Sequence, residues 1–347
     1  MITLDTVATL GTWDDSGIPI ITPFSRVAVD HRGRFLITHL TYPAISVFAP
    51  NGEFLGIVGR GADRRGEGAR PGTGGSRPRE GGDRTVADRQ RPVEFDAIAH
   101  VNVGPRFIHV FDFRRGRIVL DQNFEVVRTD PSLGRVLSSV VLDTDQVAFA
   151  VPAAEPATVG HRLHILDLGG RTRQFGGDSQ LDQGPQLQRF VVAGDDRSVW
   201  VVSQQSNRLV RWDLDPTPAV ARVFDRTVEP FESHNPPTEI WPRSLNVGSM
   251  LDEGGLWIAW QTPDPEWTER ISPGGPIPEA PWQTVLDGWL DLIDPATGRT
   301  IARYHGDDAL LGFANGSRYV VSYHEPDAGG SYIRVLEPRL SRVSSDM

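Results

Sequence analysis

The sequence predicts an all-β chain folded as one six-bladed β-propeller, and three observations carry that prediction. A succession of four short β-rich runs separated by turns recurs six times along the 347 residues. The last repeat is one run short, while a strand-like segment, Ile2 to Leu10, stands unattached at the start of the chain. Few segments keep an apolar 3.6-residue period over three turns, so helices contribute little. A chain of this length can hold two average domains, but repeat β folds of this size often form one unit, here residues 1–347.

The first repeat, Ser25 to Arg60, reads SRVAVD, HRGR, FLITHL, TYP, AISVFAP, NGE, FLGIVGR. β-branched and aromatic residues fill its four runs, and Gly, Pro and Asn fill its turns. The second repeat opens on Val93 to Val103 and continues with RFIHVFD, RIVLD and EVVRT; the third runs from Leu137 to Leu142, then QVAFAV, RLHILDL and RTRQF. The fourth, from Arg189 to Asp225, contains RFVVAGDD, SVWVVSQQ, RLVRWDLD and AVARVFD. In the fifth, SLNVGSML and LWIAWQ are followed, after a long interruption, by WLDLID and TIARYH. The sixth offers only ALLGFANGS, YVVSYHE and YIRVLEP, so Ile2 to Leu10 is expected to complete it. Such a closure ties the ends of the ring together and removes two open sheet edges.

In a propeller the turns joining strands one to two and three to four share one face, and all other connections share the opposite face. The first set is short throughout, for example Asp30 to Arg34 and Asn315 to Ser317, which suggests a face that only closes blades. The second set holds Gly61 to Pro92, Ala153 to Gly160, Thr227 to Pro242, Thr262 to Pro281 with its continuation to Asp287, and Glu325 to Gly330. Long loops gathered on one face of a rigid scaffold point to a binding surface there. The insertion 61–92 is rich in glycine and arginine and reads as a flexible arm.

Composition excludes several chemistries. There is no cysteine and no lysine, so disulfides, thiolate sites and Schiff-base or Walker lysines are ruled out. A net charge of -10 argues against nucleic acid as a partner, and no apolar run is long enough for a membrane span. The first residues lack the basic and apolar regions of a secretory leader. No GxSxG or P-loop appears.

What remains are residues placed by the repeat. Arg26, Arg135, Arg189 and Arg243 each immediately precede a first strand, close to the channel on the loop-rich face, and could form a funnel for carboxylate or phosphate. Trp241, Trp267 and Trp282 lie in loops of that face and could form a lid or stacking platform. His324, at the end of a second strand, is the candidate for acid–base chemistry.

The segment ISVFAPNGEFLGIVGRGADRRGEG, Ile45 to Gly68, resembles the NHL-type repeat, and the blades as a set resemble bacterial six-bladed propellers of the NHL and TolB-like group. Ala49 stands where that repeat commonly has aspartate, and the glycine-rich exit is expanded. The resemblance implies extracytoplasmic relatives. It also brings into view lactonase-like, metal-dependent propellers, in which Glu, Asn and Asp from different blades hold a divalent cation such as Ca in the channel; Glu94, Asp96 and Asn246 could be cast in those roles. The expectation is therefore a monomeric, non-catalytic binding propeller without cofactor, taking a small anionic molecule, a glycan or a protein segment at the channel mouth on the loop-rich face. A metal-dependent hydrolase or lyase is the alternative.

Overall fold

The computed structural model describes residues 1–11, 20–39, 42–61, 93–131, 136, 138–142, 144–152, 161–176, 189–194, 197–204, 206–231, 244–268, 280–326 and 330–341. Six four-stranded antiparallel sheets form the blades of a propeller, as the repeat predicts. From the channel outward, blade 1 contains Arg26–Val29, Phe35–Thr38, Ile45–Phe48 and Phe54–Val58, and blades 2 to 5 repeat this order. Blade 6 contains Ala309–Phe313, Val320–His324 and Tyr332–Leu340, with Ile2–Leu10 as its outermost strand.

Each blade packs face to face on its two neighbours, and the buried apolar side chains divide accordingly into six clusters, one at every junction, with a small seventh, Val285 and Leu286, under the blade 5 loop. The two-residue period of a strand explains the division, because successive side chains leave opposite faces of the sheet. In blade 4, Val199 and Val201 join the cluster shared with blade 3, while Trp200 and Val202 join the cluster shared with blade 5. Second strands are therefore buried on both faces, as in Ser198–Ser203, whereas the outermost Ala219–Asp225 is mostly exposed.

The closing strand uses an irregularity to serve two junctions. Ile2–Leu10 pairs with Tyr332–Leu340 from Ile2↔Leu340 to Leu10↔Ile333, with a bulge that leaves Val7 without a partner. One extra residue inverts the alternation beyond it. Ile2 and Leu4 thus pack at the junction with blade 5, and Ala8 and Leu10 at the junction with blade 1, although all four stand at even positions.

Next to the channel, Asn315 stitches the ring shut. Its backbone bonds Val27 and Val29 of blade 1, and its side-chain amide donates to Val101 O of blade 2 at 2.8 Å. The expected first strand of blade 2 is divided: Glu94–Phe95 makes a short parallel bridge with Arg60–Gly61, and the inner strand proper is Ile98–Val103. The break occurs because the backbone N–H groups of Asp96 and Ala97 both donate to the Asp112 carboxylate, at 2.7 and 2.9 Å. The bridge brings together the two ends of the insertion 61–92, whose interior lies outside the described residues.

Candidate anion site in the channel

Inner strands begin on the loop-rich face, so the first residue of each stands near that end of the channel. Arg26 opens the inner strand of blade 1 and lines a cavity of about 80 Å³ together with His100, Ser139, Phe190, Gly248 and Leu311, one residue from every blade. The cavity walls enclose the guanidinium and lower its affinity for the proton, although part of its surface still meets the channel's own solvent. Nη1 donates to Leu311 O at 3.3 Å, and no carboxylate pairs with Arg26 among the described residues. Arg117, which is fully buried, by contrast holds Asp130 at 2.5 Å.

Three β-bulges shape this wall. In blade 6 Leu311 is the extra residue between Leu310 and Gly312, so it has no ladder partner, and its carbonyl is the one that meets Arg26. Ala99 and Val247 are the extra residues of blades 2 and 5. The glycines beside two of these bulges are required by close approach. A Cβ on Gly248 would come within 2.7 Å of Gly312 Cα, and one on Gly312, where φ is +112°, within 2.6 Å of Val247 O.

Opposite Arg26, Asn102 Nδ2 donates to Ser139 Oγ, which lies 2.5 Å from His100 Nε2. Burial, and then the nearby Arg26 charge, push the His100 pKa down to about 3, so the ring is neutral at physiological pH. With the serine proton given to Nε2, every member of this trio has a partner. Arg26 is then the lone unneutralised charge of the described wall.

The channel also opens towards the tight-turn face, into a cavity of about 360 Å³ lined largely by the strand ends Val103, Val141, Val192, Ala193, Leu251 and Ala314. Ser139, Val191, Ser249, Phe313 and Asn315 line both cavities. The tight-turn face therefore also borders a cavity.

The sequence analysis named other residues, and their places are as follows. Arg189 is the first residue of its inner strand, paired with Ser203, which is the backbone position Arg26 has in blade 1; its side chain is outside the described set, as are Arg135, Arg243 and Trp241. Trp267 belongs to a short helix, Pro265–Thr268, and its side chain is likewise not described. Trp282 makes an edge-to-face contact with Phe24, its ring centroid 5.9 Å away, and its backbone N–H donates to Glu325 Oε2 at 3.1 Å, which anchors the blade 5 loop on blades 1 and 6.

His324 Nε2 approaches both Ser322 Oγ, at 2.9 Å, and Asp308 Oδ1, at 3.4 Å. A nucleophilic relay needs the acid and the hydroxyl on different ring nitrogens, and Ser322 is fully buried, so this group is not such a relay. Burial lowers the His324 pKa, and Asp308 opposes the shift.

Glu94 and Asp96 both hold Arg115, at 2.9 Å each, within blade 2. Asn246 belongs to blade 5, and its Nδ2 spans Ser203 O and Ser206 O at 2.7 and 3.1 Å, with Oδ1 left unpartnered. Arg115 takes up both carboxylates in blade 2 while Asn246 is bonded to carbonyls beside blade 4, and no group of three or more His, Asp or Glu placed to hold a metal ion occurs among the described residues.

No family model matches the sequence, and no curated protein matches it significantly. Solved structures do. A member of the DUF4221 family from Bacteroides vulgatus matches 98% of this chain and 99% of its own at a TM-score of 0.56 and 11% identity. A putative exported protein from Bacteroides fragilis matches 98% and 96% at a TM-score of 0.54 and 12% identity. The likeness is one of fold. At such identity no residue role passes from one chain to the other, and the reading of the channel rests on this chain's own side chains.

Sequence reasoning found Arg26 but missed His100, Asn102, Ser139 and Leu311. Glycine inside a short strand, at 248 and 312, was the signal for the bulges.

Proposed function

We propose that the protein is a non-catalytic binding propeller that takes a small anionic ligand on Arg26, at the loop-rich end of the channel. The observation that carries this reading is a walled-in guanidinium without a carboxylate partner among the described residues. An unpaired buried cation is costly, and a bound carboxylate or phosphate would remove that cost while gaining charge-assisted hydrogen bonds. A divalent cation at Glu94, Asp96 and Asn246 draws less support, because Arg115 occupies both carboxylates and Asn246 works in another blade.

In this reading the chain is kin to the NHL and TolB-like propellers, on the repeat at Ile45 to Gly68, and acts outside the cytoplasm. The likeness in fold to a putative exported protein is in keeping with that location.

The test is a thermal-shift titration with acetate, phosphate and glucose on the wild type and on Arg26→Gln. At a hundredfold excess over Kd, a ligand of the folded state adds about 2.7 kcal/mol, which for a chain of this size corresponds to a rise of roughly 4 °C. The rise is expected with an anion, and not in the variant. Equal shifts in both proteins, or a shift with glucose alone, would refute the proposal.

A further inference from the structure

The anion site occupies only the smaller part of the channel. Immediately beyond it lies the cavity of about 360 Å³, within the range of small-molecule pockets. Its wall is mainly apolar, through Val103, Val141, Val192, Met250, Phe313 and Ala314, with Asn102, Ser139, Asn315 and Ser317 as its other polar members. The two charged residues at its rim are already engaged. Asp252 accepts from Gly254 N–H, Gly255 N–H and Trp257 Nε1, and Arg318 pairs with Glu337. At the waist between the cavities, Ser249 Oγ is buried and has no hydrogen-bond partner.

Charge at one end, an unused hydroxyl at the waist and an apolar chamber at the other end are complementary to one kind of molecule. We infer that the ligand is an amphipathic carboxylate, with its head group between Arg26 and Ser249 and its apolar body lying towards the tight-turn face. The inference rests on the anion reading of Arg26 proposed above and adds the body of the ligand and the direction in which it lies. The inner strand of blade 1 has four residues, so the level of Arg26 is about 10 Å from the end of that strand. That length matches a medium-chain carboxylate such as octanoate.

The experiment is calorimetric titration of the full chain with acetate, butyrate, hexanoate and octanoate, with octanol and octylamine as controls, repeated on Arg26→Gln and Ser249→Ala. Each added CH₂ that leaves water is worth about 0.8 kcal/mol, or roughly fourfold in Kd. Affinity is therefore expected to tighten about fourfold per carbon along the series. It should fall at least tenfold from octanoate to octanol, vanish with octylamine, and weaken in both variants. Wild-type titrations alone decide the matter if a variant misfolds. Carboxylates of all lengths binding with one affinity would overturn the amphipathic ligand and leave the anion site standing. Octanol binding as tightly as octanoate would overturn the head-group assignment, and the absence of any carboxylate binding would overturn this inference, while the anion site itself falls only if phosphate also fails to bind the wild type.

Discussion

Replacing Leu10 with alanine is expected to destabilise the whole ring by about 3 kcal/mol, the middle of the range for a buried leucine truncated in a core. Leu10 is fully buried at the junction of blades 6 and 1, among Ile21, Phe35, Val321 and Ile333. It also lies at the end of the strand that joins the two chain termini, where it pairs with Ile333. Thr3, on the same strand and exposed, is the control: its replacement by alanine should stay within about 0.5 kcal/mol. The assay is urea unfolding followed by tryptophan fluorescence and far-UV circular dichroism. At an m value of about 3 kcal/mol/M, the loss moves the midpoint down by about 1 M. The choice of probe gives the experiment its force. Trp200 and Trp260 are buried where blades 4 and 5 meet, away from the altered seam. With Trp282, which packs on that seam, replaced by phenylalanine in every protein compared, they report its loss only if the ring unfolds as a unit. Two separated transitions, or an unchanged fluorescence midpoint, would refute the closure argument.

Two further outcomes follow from the channel and its histidines. Gly248→Ala should destabilise by about 1–3 kcal/mol, because its Cβ would meet the backbone of Gly312 and Phe313 at 2.7 and 3.0 Å, and urea midpoints measure the loss. Stability should also decline as pH falls below about 6.5, the ordinary pKa of histidine. Burial holds His39, His100 and His109 at about 4, 3 and 4, so they fold neutral; their contribution is complete above the unfolded value and is lost as pH drops through the folded values. Urea midpoints at pH 7, 5.5 and 4.5 should fall in that order, and a flat profile would contradict the assignment.

Much of the architecture was legible because its determinants are local. Alternation in segments such as FLITHL and SVWVVSQQ reflects burial between two neighbouring blades, and Gly, Asn and Pro mark the turns. The closing strand could be read as the missing member of a repeat, and its bounds, Ile2–Leu10, are those found. The split in blade 2 was not legible, because it depends on where the Asp112 carboxylate sits after the chain has turned back. The same holds for the even-numbered residues of the closing strand, which face one way or the other according to a bulge set by pairing with residues more than three hundred positions away.

The sequence by itself determined the six blades, their closure, the unequal length of the connections on the two faces and the arginine at the start of an inner strand. All of these depend on side-chain period, turn chemistry and counting, which a linear string preserves. Only the tertiary structure decided that Arg26 has no carboxylate partner among the described residues, that a bulged Leu311 carbonyl meets it, and that an apolar chamber opens behind it. The channel wall takes one strand from each blade, so the neighbours of Arg26 come from residues near 100, 139, 190, 248 and 311. Which of them point inward depends on bulges and cross-strand register. Those exist only after the ring has closed.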